Sequence, residues 1–118
     1  MYIVNAQGAG RSAVTNERAK DVQVQWLLDE SRGGLNYALR CFIIAPGGYT
    51  PRHTHDWEHE VYVLRGEGVL VSDKGEVPLG PDRAILIPPN EEHQFRCTGA
   101  DNLEMLCIVP NGPATVGH

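Results

Sequence analysis

The chain has 118 residues, which gives room for one hydrophobic core but not for two. Hydrophobic residues make up 42% and charged residues 21%, which is close to the usage of ordinary globular proteins. The net charge is −5, from 15 acidic and 10 basic residues, and the basic residues are scattered along the chain. This charge pattern argues against a nucleic acid or an anionic membrane as the partner.

Residues 1–20 are predicted to form an N-terminal arm outside the core. Tyr2 to Val4 is apolar enough for a short strand, whereas residues 5–20 are polar and aperiodic, which is typical of an arm or a disordered leader. Such a segment often covers a sheet edge of a partner subunit, so we expect it to pair with a second copy. The start lacks the basic residues and the apolar run of a secretion signal, so we expect a cytoplasmic protein.

From residue 21 onward, hydrophobic and polar residues alternate, and the pattern is interrupted by Gly, Pro and Asn. A period of two predicts strands, and no stretch has the spacing of an amphipathic helix. The predicted strands cover residues 22–28, 35–45, 59–65, 68–72, 76–79, 83–87, 92–97 and 103–109. The second is expected to stop at Pro46-Gly47-Gly48. Strands at this spacing predict an all-β sandwich or barrel over residues 21–110, followed by a flexible tail at 111–118.

Three cysteines, Cys41, Cys97 and Cys107, each lie inside a predicted strand. Their odd number and wide spacing do not suit a disulfide framework. We therefore expect reduced thiols buried in the core.

Four of the five histidines lie at the ends of predicted strands. His53 and His55 are two residues apart, so in an extended chain both side chains point to the same side. His59 begins the next strand, and His93 follows the turn Pro88-Pro89-Asn90, which can bring a distant strand back to the same place. Imidazole is the commonest protein ligand of divalent transition metals. We predict that these four histidines hold one such ion, with Mn²⁺, Fe²⁺, Zn²⁺, Ni²⁺ and Cu²⁺ as the candidates.

The same residues resemble the cupin superfamily. Its first motif places a glycine, His-x-His, a glutamate ligand and a second glycine at fixed spacings, and Gly47, His53, His55, position 59 and Gly66 keep each of them.

The second cupin motif is matched by Pro88-x-Asn90-x-x-His93, in which Asn90 replaces a turn glycine. Asparagine tolerates a positive φ better than most residues, so we expect this replacement to be harmless. Cys97 stands where the motif has asparagine, which removes a polar partner. The resemblance covers residues 22–110 and implies a double-stranded β-helix, a jelly-roll barrel with the metal inside one mouth.

Position 59 departs from the pattern, because it holds histidine where most cupins carry glutamate. Glu60 is the alternative ligand, but it leaves only five residues before Gly66. His59 shares a strand face with Val61 and Val63, whereas Glu60 points to the other face. We therefore predict that His59 is the ligand.

The run RHTHDWEHEVYVLRGEG, residues 52–68, is similar to small cupins with an all-histidine manganese site. This resemblance implies Mn²⁺, a homodimer, and an octahedral site with two adjacent positions open to a bidentate ligand. Four neutral imidazoles leave a divalent ion its full charge, which favours an anionic or chelating oxygen ligand. Trp57 is expected to pack in the turn of this run, with a lid or interface role as the alternative.

Alternation predicts further side chains near the metal. If His93 faces inward, so does Phe95, and Cys107 faces inward on the last strand. Arg40 shares a face with inward apolar residues, where a charge is costly unless it binds a carboxylate or a metal-bound oxygen. Phe95, Cys107 and Arg40 are therefore our pocket candidates. For Arg40 the alternative is a place at the open end of the barrel, paired with Glu60 or Glu104.

Two classes of function fit these features. The first is a metal-dependent oxidoreductase of the dioxygenase type that acts on a small anionic or chelating organic substrate. The second is a binding or sensing protein that holds a small ligand on the metal without turnover, and an isomerase of a sugar or keto acid is a third possibility. The sequence carries no Ser/His/Asp set, paired catalytic carboxylates or phosphate-binding glycine loop that would favour another class.

Overall fold

The computed structural model describes residues 1–112, in which nine strands form one antiparallel sheet that curls into the predicted double-stranded β-helix. The strands are β1 (Ser12–Ala13), β2 (Lys20–Leu28), β3 (Tyr37–Tyr49), β4 (His59–Arg65), β5 (Gly68–Ser72), β6 (Gly75–Leu79), β7 (Ala84–Ile87), β8 (Gln94–Cys97) and β9 (Leu103–Pro110). Two short 3₁₀ turns, Ala6–Gly8 and Glu30–Arg32, are the helical segments of this part of the chain. No helix within it has the length and apolar character needed to cross a membrane. Most of the predicted tail, residues 113–118, lies outside the described residues.

Strand β3 is the centre of the sheet, whose order is β6-β5-β8-β3-β9-β4-β7, with β2 also paired to β3. The antiparallel register places Arg40 of β3 opposite Trp26 of β2 and opposite Cys107 of β9. Residues that are directly opposite in neighbouring strands share a face. The register therefore brings these three side chains into one row across the sheet.

The prediction that β3 ends at Pro46-Gly47-Gly48 is wrong, because the strand continues to Tyr49. The register between β2 and β3 jumps from Val22 opposite Ile44 to Lys20 opposite Tyr49, so the Pro-Gly-Gly run forms a bulge. A bulge accommodates residues that a regular ladder excludes, and Gly47 adopts a φ of 81° there.

Inward and outward residues alternate as predicted along β4 and β9. His59, Val61 and Val63 are buried, whereas Glu60 and Tyr62 are exposed. On β8 and β9 the inward residues are also apolar, as expected for one buried face of a sheet. The inner core consists of Val22, Ala38, Ile44, Val61, Val63, Leu79, Ile87, Phe95, Cys97, Leu103, Met105, Cys107 and Val109.

A second, smaller cluster lies on the opposite face of the sheet. It consists of Leu27, Cys41 and Ile43, which alternate with the inward residues of β2 and β3. Val4 and Ala9 of the N-terminal arm pack against it. The arm thus covers apolar surface on the outside of its own barrel.

Gln25 fastens this arm to the sheet. Its buried side-chain amide donates hydrogen bonds to the backbone oxygens of Ala6 at 2.8 Å and Ala9 at 3.1 Å. Residues 12 and 13 pair with β2, so the structure contradicts a disordered leader, and Tyr2 to Val4 is not a strand. The reason is that the arm forms hydrogen bonds and apolar contacts with its own sheet, and its polar composition does not indicate these contacts. Pairing of the arm with a second subunit stays a prediction.

Gly66 offers a test of the turn that follows β4. Its φ is 86°, and an added Cβ would overlap the backbone oxygen of Asn102 and lie 2.8 Å from Leu103 Cα. We expect Gly66→Ala to lower the free energy of unfolding by at least ~2 kcal/mol, because left-handed strain and the clash add together. Urea denaturation measures this change. The control is Gly80→Ala, where a Cβ meets nothing within 4 Å; equal stabilities of the two variants would contradict the prediction.

Candidate metal centre

Three histidines converge on one point in the barrel. The ligand nitrogens of His53, His55 and His93 all lie within 4.8 Å of one another. A backbone bridge fixes two of these residues opposite each other, because the His53 N–H donates to the His93 carbonyl at 3.2 Å and the His93 N–H donates back at 3.1 Å. His55 lies two residues further along extended chain and reaches the same side. The two histidine motifs of the sequence are thus joined by main-chain hydrogen bonds.

Hydrogen bonds to the backbone set the tautomers of two of these rings. Nδ1 of His55 lies 3.0 Å from the Trp57 carbonyl oxygen, and Nδ1 of His93 lies 2.9 Å from that of Glu91. A carbonyl oxygen only accepts, so each Nδ1 carries the proton and each Nε2 keeps its lone pair. The Nε2 atom of His55 is buried and has no hydrogen-bond partner among residues 1–112. An orphaned buried acceptor costs about 1–3 kcal/mol, and a bound cation would satisfy it.

The site also favours neutral imidazoles. Burial lowers the pKa of His55 and of His93, because an apolar environment disfavours the charged ring. Burial lowers the pKa of His59 to about 2, with smaller contributions from the repulsion that a protonated His55 would exert and from the charge of Arg40. A metal can therefore bind these rings at neutral pH without displacing a proton. The donor set fits a divalent transition metal.

The His59 ring lies beside the other three histidine rings, but its two nitrogens contact Trp57 and Cys107. Its ring stacks on His55 at 4.2 Å between centroids and lies 5.3 Å from His93. The Trp57 indole N–H donates to His59 Nε2 at 3.2 Å, and His59 Nδ1 lies 3.5 Å from Cys107 Sγ. The close group of ligand nitrogens is thus formed by three histidines, and the role of His59 as a fourth ligand stays a prediction.

Trp57 packs in the turn between the ligand residues. Its indole is parallel to the His55 ring at 4.4 Å. Because Trp57 and His59 are joined by a hydrogen bond, both rings lie on the same face of His55. This stacking holds His55 in one orientation.

A cavity of about 470 Å³ opens beside the histidines. The three pocket candidates, Arg40, Phe95 and Cys107, all line it. Its remaining walls are mainly apolar and aromatic, and they include Val22, Val24, Trp26, Phe42, Val61 and Met105. No Asp or Glu is among the described residues that line it. A volume of ~300–1,000 Å³ is usual for a small-molecule site.

The sequence prediction missed two parts of this wall. Residues 12–16 of the arm line the cavity, and nothing in their polar, aperiodic sequence indicates it. Trp26 lines it as well. The sequence does indicate the position of Trp26, because it alternates in phase with Val22 and Val24 on the inward face of β2.

Arg40 is buried in this wall, with 2% of its surface exposed. Nη2 lies 3.6 Å from Cys107 Sγ, and Nε and Nη1 have no hydrogen-bond partner in the described part of the chain. Pairing with Glu60 or Glu104 at the open end of the barrel is therefore wrong. Glu104 instead binds Arg65 at 3.0 Å, because it lies on the outward face while Arg40 points inward.

The three cysteines are free and buried, as predicted. Burial raises the pKa of Cys41 and of Cys107, so both stay neutral thiols at pH 7. Cys97, which replaces the asparagine of the motif, donates to the Asp101 carbonyl at 3.2 Å.

Known proteins share this barrel. The polyketide cyclase RemF from Streptomyces resistomycificus superposes with a TM-score of 0.90 and is 34% identical, covering 95% of this chain and 80% of that protein. The oxalate-binding protein of Thermotoga maritima is 27% identical over 100 residues, which are 81% of this chain and 83% of the relative. The 1-methylthio-D-xylulose 5-phosphate methylsulfurylase of Rhodospirillum rubrum is 33% identical over 79 residues, 67% of this chain and 51% of the relative.

This chain therefore spans about half the length of the methylsulfurylase. The relatives bind or act on different small molecules, as their names show, so the barrel alone does not define a substrate. The Cupin domain family matches residues 40–109. A match over more than half of the chain, in agreement with the observed fold, makes this protein a cupin.

Proposed function

We propose that this cupin is a metal-dependent cyclase that closes a ring in a polyketide-type substrate. The observation that carries the proposal is the convergence of three histidine ligand atoms beside a cavity of about 470 Å³ with apolar and aromatic walls. Support comes from the similarity to the polyketide cyclase RemF, which extends over 95% of the chain at 34% identity. The polyketide synthase CurC of Streptomyces cyaneus is also 32% identical over 79 residues.

The metal in this proposal is held by His53, His55, His93 and, as the fourth ligand, His59. His59 already has the required tautomer. An indole N–H only donates, so the hydrogen bond from Trp57 shows that Nε2 carries the lone pair. Loss of this one hydrogen bond would free Nε2 for the metal. Mn²⁺ is our expected ion, on the resemblance of residues 52–68 to all-histidine manganese cupins.

Ring closure suits the chemistry of this site. Closing a ring by aldol condensation forms one carbon–carbon bond and releases water, so it needs neither oxidant nor reductant. A bound divalent ion would supply a Lewis acid for a carbonyl oxygen. The chain itself would hold the substrate folded against Phe42, Phe95 and Met105, which line the cavity, and would exclude water from the reacting carbons.

Our sequence-based hypothesis of a dioxygenase uses the same centre but requires dioxygen and a redox-active metal. No relative named above is called an oxygenase. The difference between the two reactions is measurable as oxygen consumption. For the assembly and its location, a homodimer in the cytoplasm stays our prediction.

The ligand set predicts which variants lose the metal. We expect His55→Ala and His93→Ala to lower the metal affinity by more than about 10-fold, because each removes a ligand. His59→Ala should do the same if His59 is the fourth ligand. Metal content after dialysis, measured by inductively coupled plasma mass spectrometry, tests these variants and also identifies the ion.

The matched control is Glu60→Ala, the neighbour of His59 on the outward face of β4. It should retain the metal. Loss of metal in Glu60→Ala but not in His59→Ala would refute the fourth ligand.

Trp57 provides an independent test of His59. We expect Trp57→Phe to bind the metal a few-fold more tightly, since the indole hydrogen bond no longer competes for Nε2 and such a bond is worth about 0.5–1.5 kcal/mol. Isothermal titration calorimetry with Mn²⁺ measures the change, and Phe keeps the stacking on His55. Weaker binding by Trp57→Phe, at unchanged thermal stability, would instead show that the indole supports the site.

The proposed reaction is tested with a linear poly-β-ketone that carries a free carboxylate. The purified protein, loaded in turn with Mn²⁺, Fe²⁺, Zn²⁺, Ni²⁺ or Cu²⁺, should convert it without dioxygen to a product lighter by one water. Mass spectrometry follows the product, and chelation should slow conversion by at least about 10-fold. Cyclisation no faster than in buffer would refute the proposal. In a parallel assay under air, oxygen uptake would then favour a dioxygenase, and tight binding without turnover would favour a binding protein.

A further inference from the structure

The guanidinium of Arg40 is a buried charge without a counter-charge. Arg40 is 2% exposed, and no Asp or Glu is among the described residues that line its cavity. Arginine stays charged in proteins, so the free-energy cost of burying the charge has to be offset by other groups. Removal of a charge from water is expensive unless a partner compensates it.

The contacts of Arg40 leave its hydrogen-bond donors unused. The guanidinium carbon lies 4.7 Å from the centre of the Phe42 ring and 5.4 Å from that of Trp26. Such cation–π contacts stabilise the positive charge. They do not accept hydrogen bonds from the N–H groups, which lie in the guanidinium plane. Within the residues that the structure describes, Nε and Nη1 have no hydrogen-bond partner, and Nη2 has the sulfur of Cys107 at 3.6 Å, a weak acceptor.

The position of Arg40 links these donors to the histidines. Cys107 Sγ lies 3.6 Å from Arg40 Nη2 and 3.5 Å from His59 Nδ1, so a single side chain separates the guanidinium from the histidine group. A ligand whose anionic group binds Arg40 can therefore also face the histidines.

We propose that Arg40 binds the carboxylate of the cupin's substrate, which is then an aromatic or otherwise largely apolar organic acid. Planar guanidinium donors match a carboxylate in geometry and in charge. The cavity of about 470 Å³ is much larger than an inorganic anion, and its apolar walls require an apolar body on the ligand. The reaction of this acid rests on the proposed function. The binding of the acid to Arg40 does not depend on it.

Binding of naphthoate, compared with neutral naphthamide of the same shape, tests the assignment by calorimetry. The 118-residue chain should bind naphthoate at least about 10-fold more tightly than naphthamide, because a charged hydrogen bond is worth that much or more. The preference should persist after chelation of the metal, which separates Arg40 from direct coordination. Acetate should bind far more weakly than naphthoate. Loss of the preference on chelation, or equal binding of acetate, would overturn the assignment.

Variants of two arginines complete the experiment. In Arg40→Gln, naphthoate and naphthamide should bind equally. The matched control is Arg65→Gln, which removes an exposed arginine paired with Glu104 at 3.0 Å and should keep the preference. A preference that survives in Arg40→Gln would refute the role of Arg40.

Thermal unfolding separates a binding role from a structural one. Without ligand, Arg40→Met should unfold at or above the temperature of the original protein, because an uncompensated buried charge is replaced by an apolar chain. Naphthoate should raise the unfolding temperature of the original protein more than naphthamide does, whereas the two compounds should have equal effects on Arg40→Met. A variant that fails to fold, or that melts more than about 5 °C lower, would show that Arg40 is structural and would overturn the proposal.

These measurements do not depend on turnover. Failure of cyclisation with intact naphthoate preference would refute the proposed reaction alone. Intact cyclisation without that preference would refute the carboxylate assignment alone.

Discussion

The backbone bridge between His53 and His93 is the contact on which the centre depends. These residues are forty positions apart in sequence, and two main-chain hydrogen bonds of 3.2 and 3.1 Å hold them opposite each other. Main-chain bonds do not depend on side-chain identity, so the approach of the two motifs is a property of the barrel. Two further backbone groups, the carbonyl oxygens of Trp57 and Glu91, set the orientation of the His55 and His93 rings.

Strand alternation explains how much of the fold and site was predictable from the sequence. Burial of His59 with Val61 and Val63 followed from the period of two, as did the inward positions of Phe95 and Cys107. Such a pattern assigns a side chain to a face but does not give the distance between two side chains. For that reason the sequence placed His59 with the other histidines but did not predict its hydrogen bond to Trp57.

The remaining differences come from tertiary contacts that have no local signal. The Pro46-Gly47-Gly48 run reads as a strand end, but pairing of Lys20 with Tyr49 across the bulge continues the strand. The arm similarly lacks any periodic pattern, and its position depends on two hydrogen bonds from the distant Gln25. Both cases show tertiary structure overriding local propensity.

The unsatisfied polar atoms of the protein are concentrated in its cavity. Of the four buried side-chain nitrogen and oxygen atoms without a partner in residues 1–112, three belong to Arg40 and His55, and the fourth belongs to Asn111. Elsewhere in the described chain, buried polar groups such as Gln25 and Thr50 have partners. Arg40 and His55 both line the cavity, so three of these four atoms lower the stability of the fold at the place where we propose that a ligand binds. The energetic cost falls on one arginine and one histidine, and in our proposal a metal and a ligand with an anionic group, bound together, would relieve both.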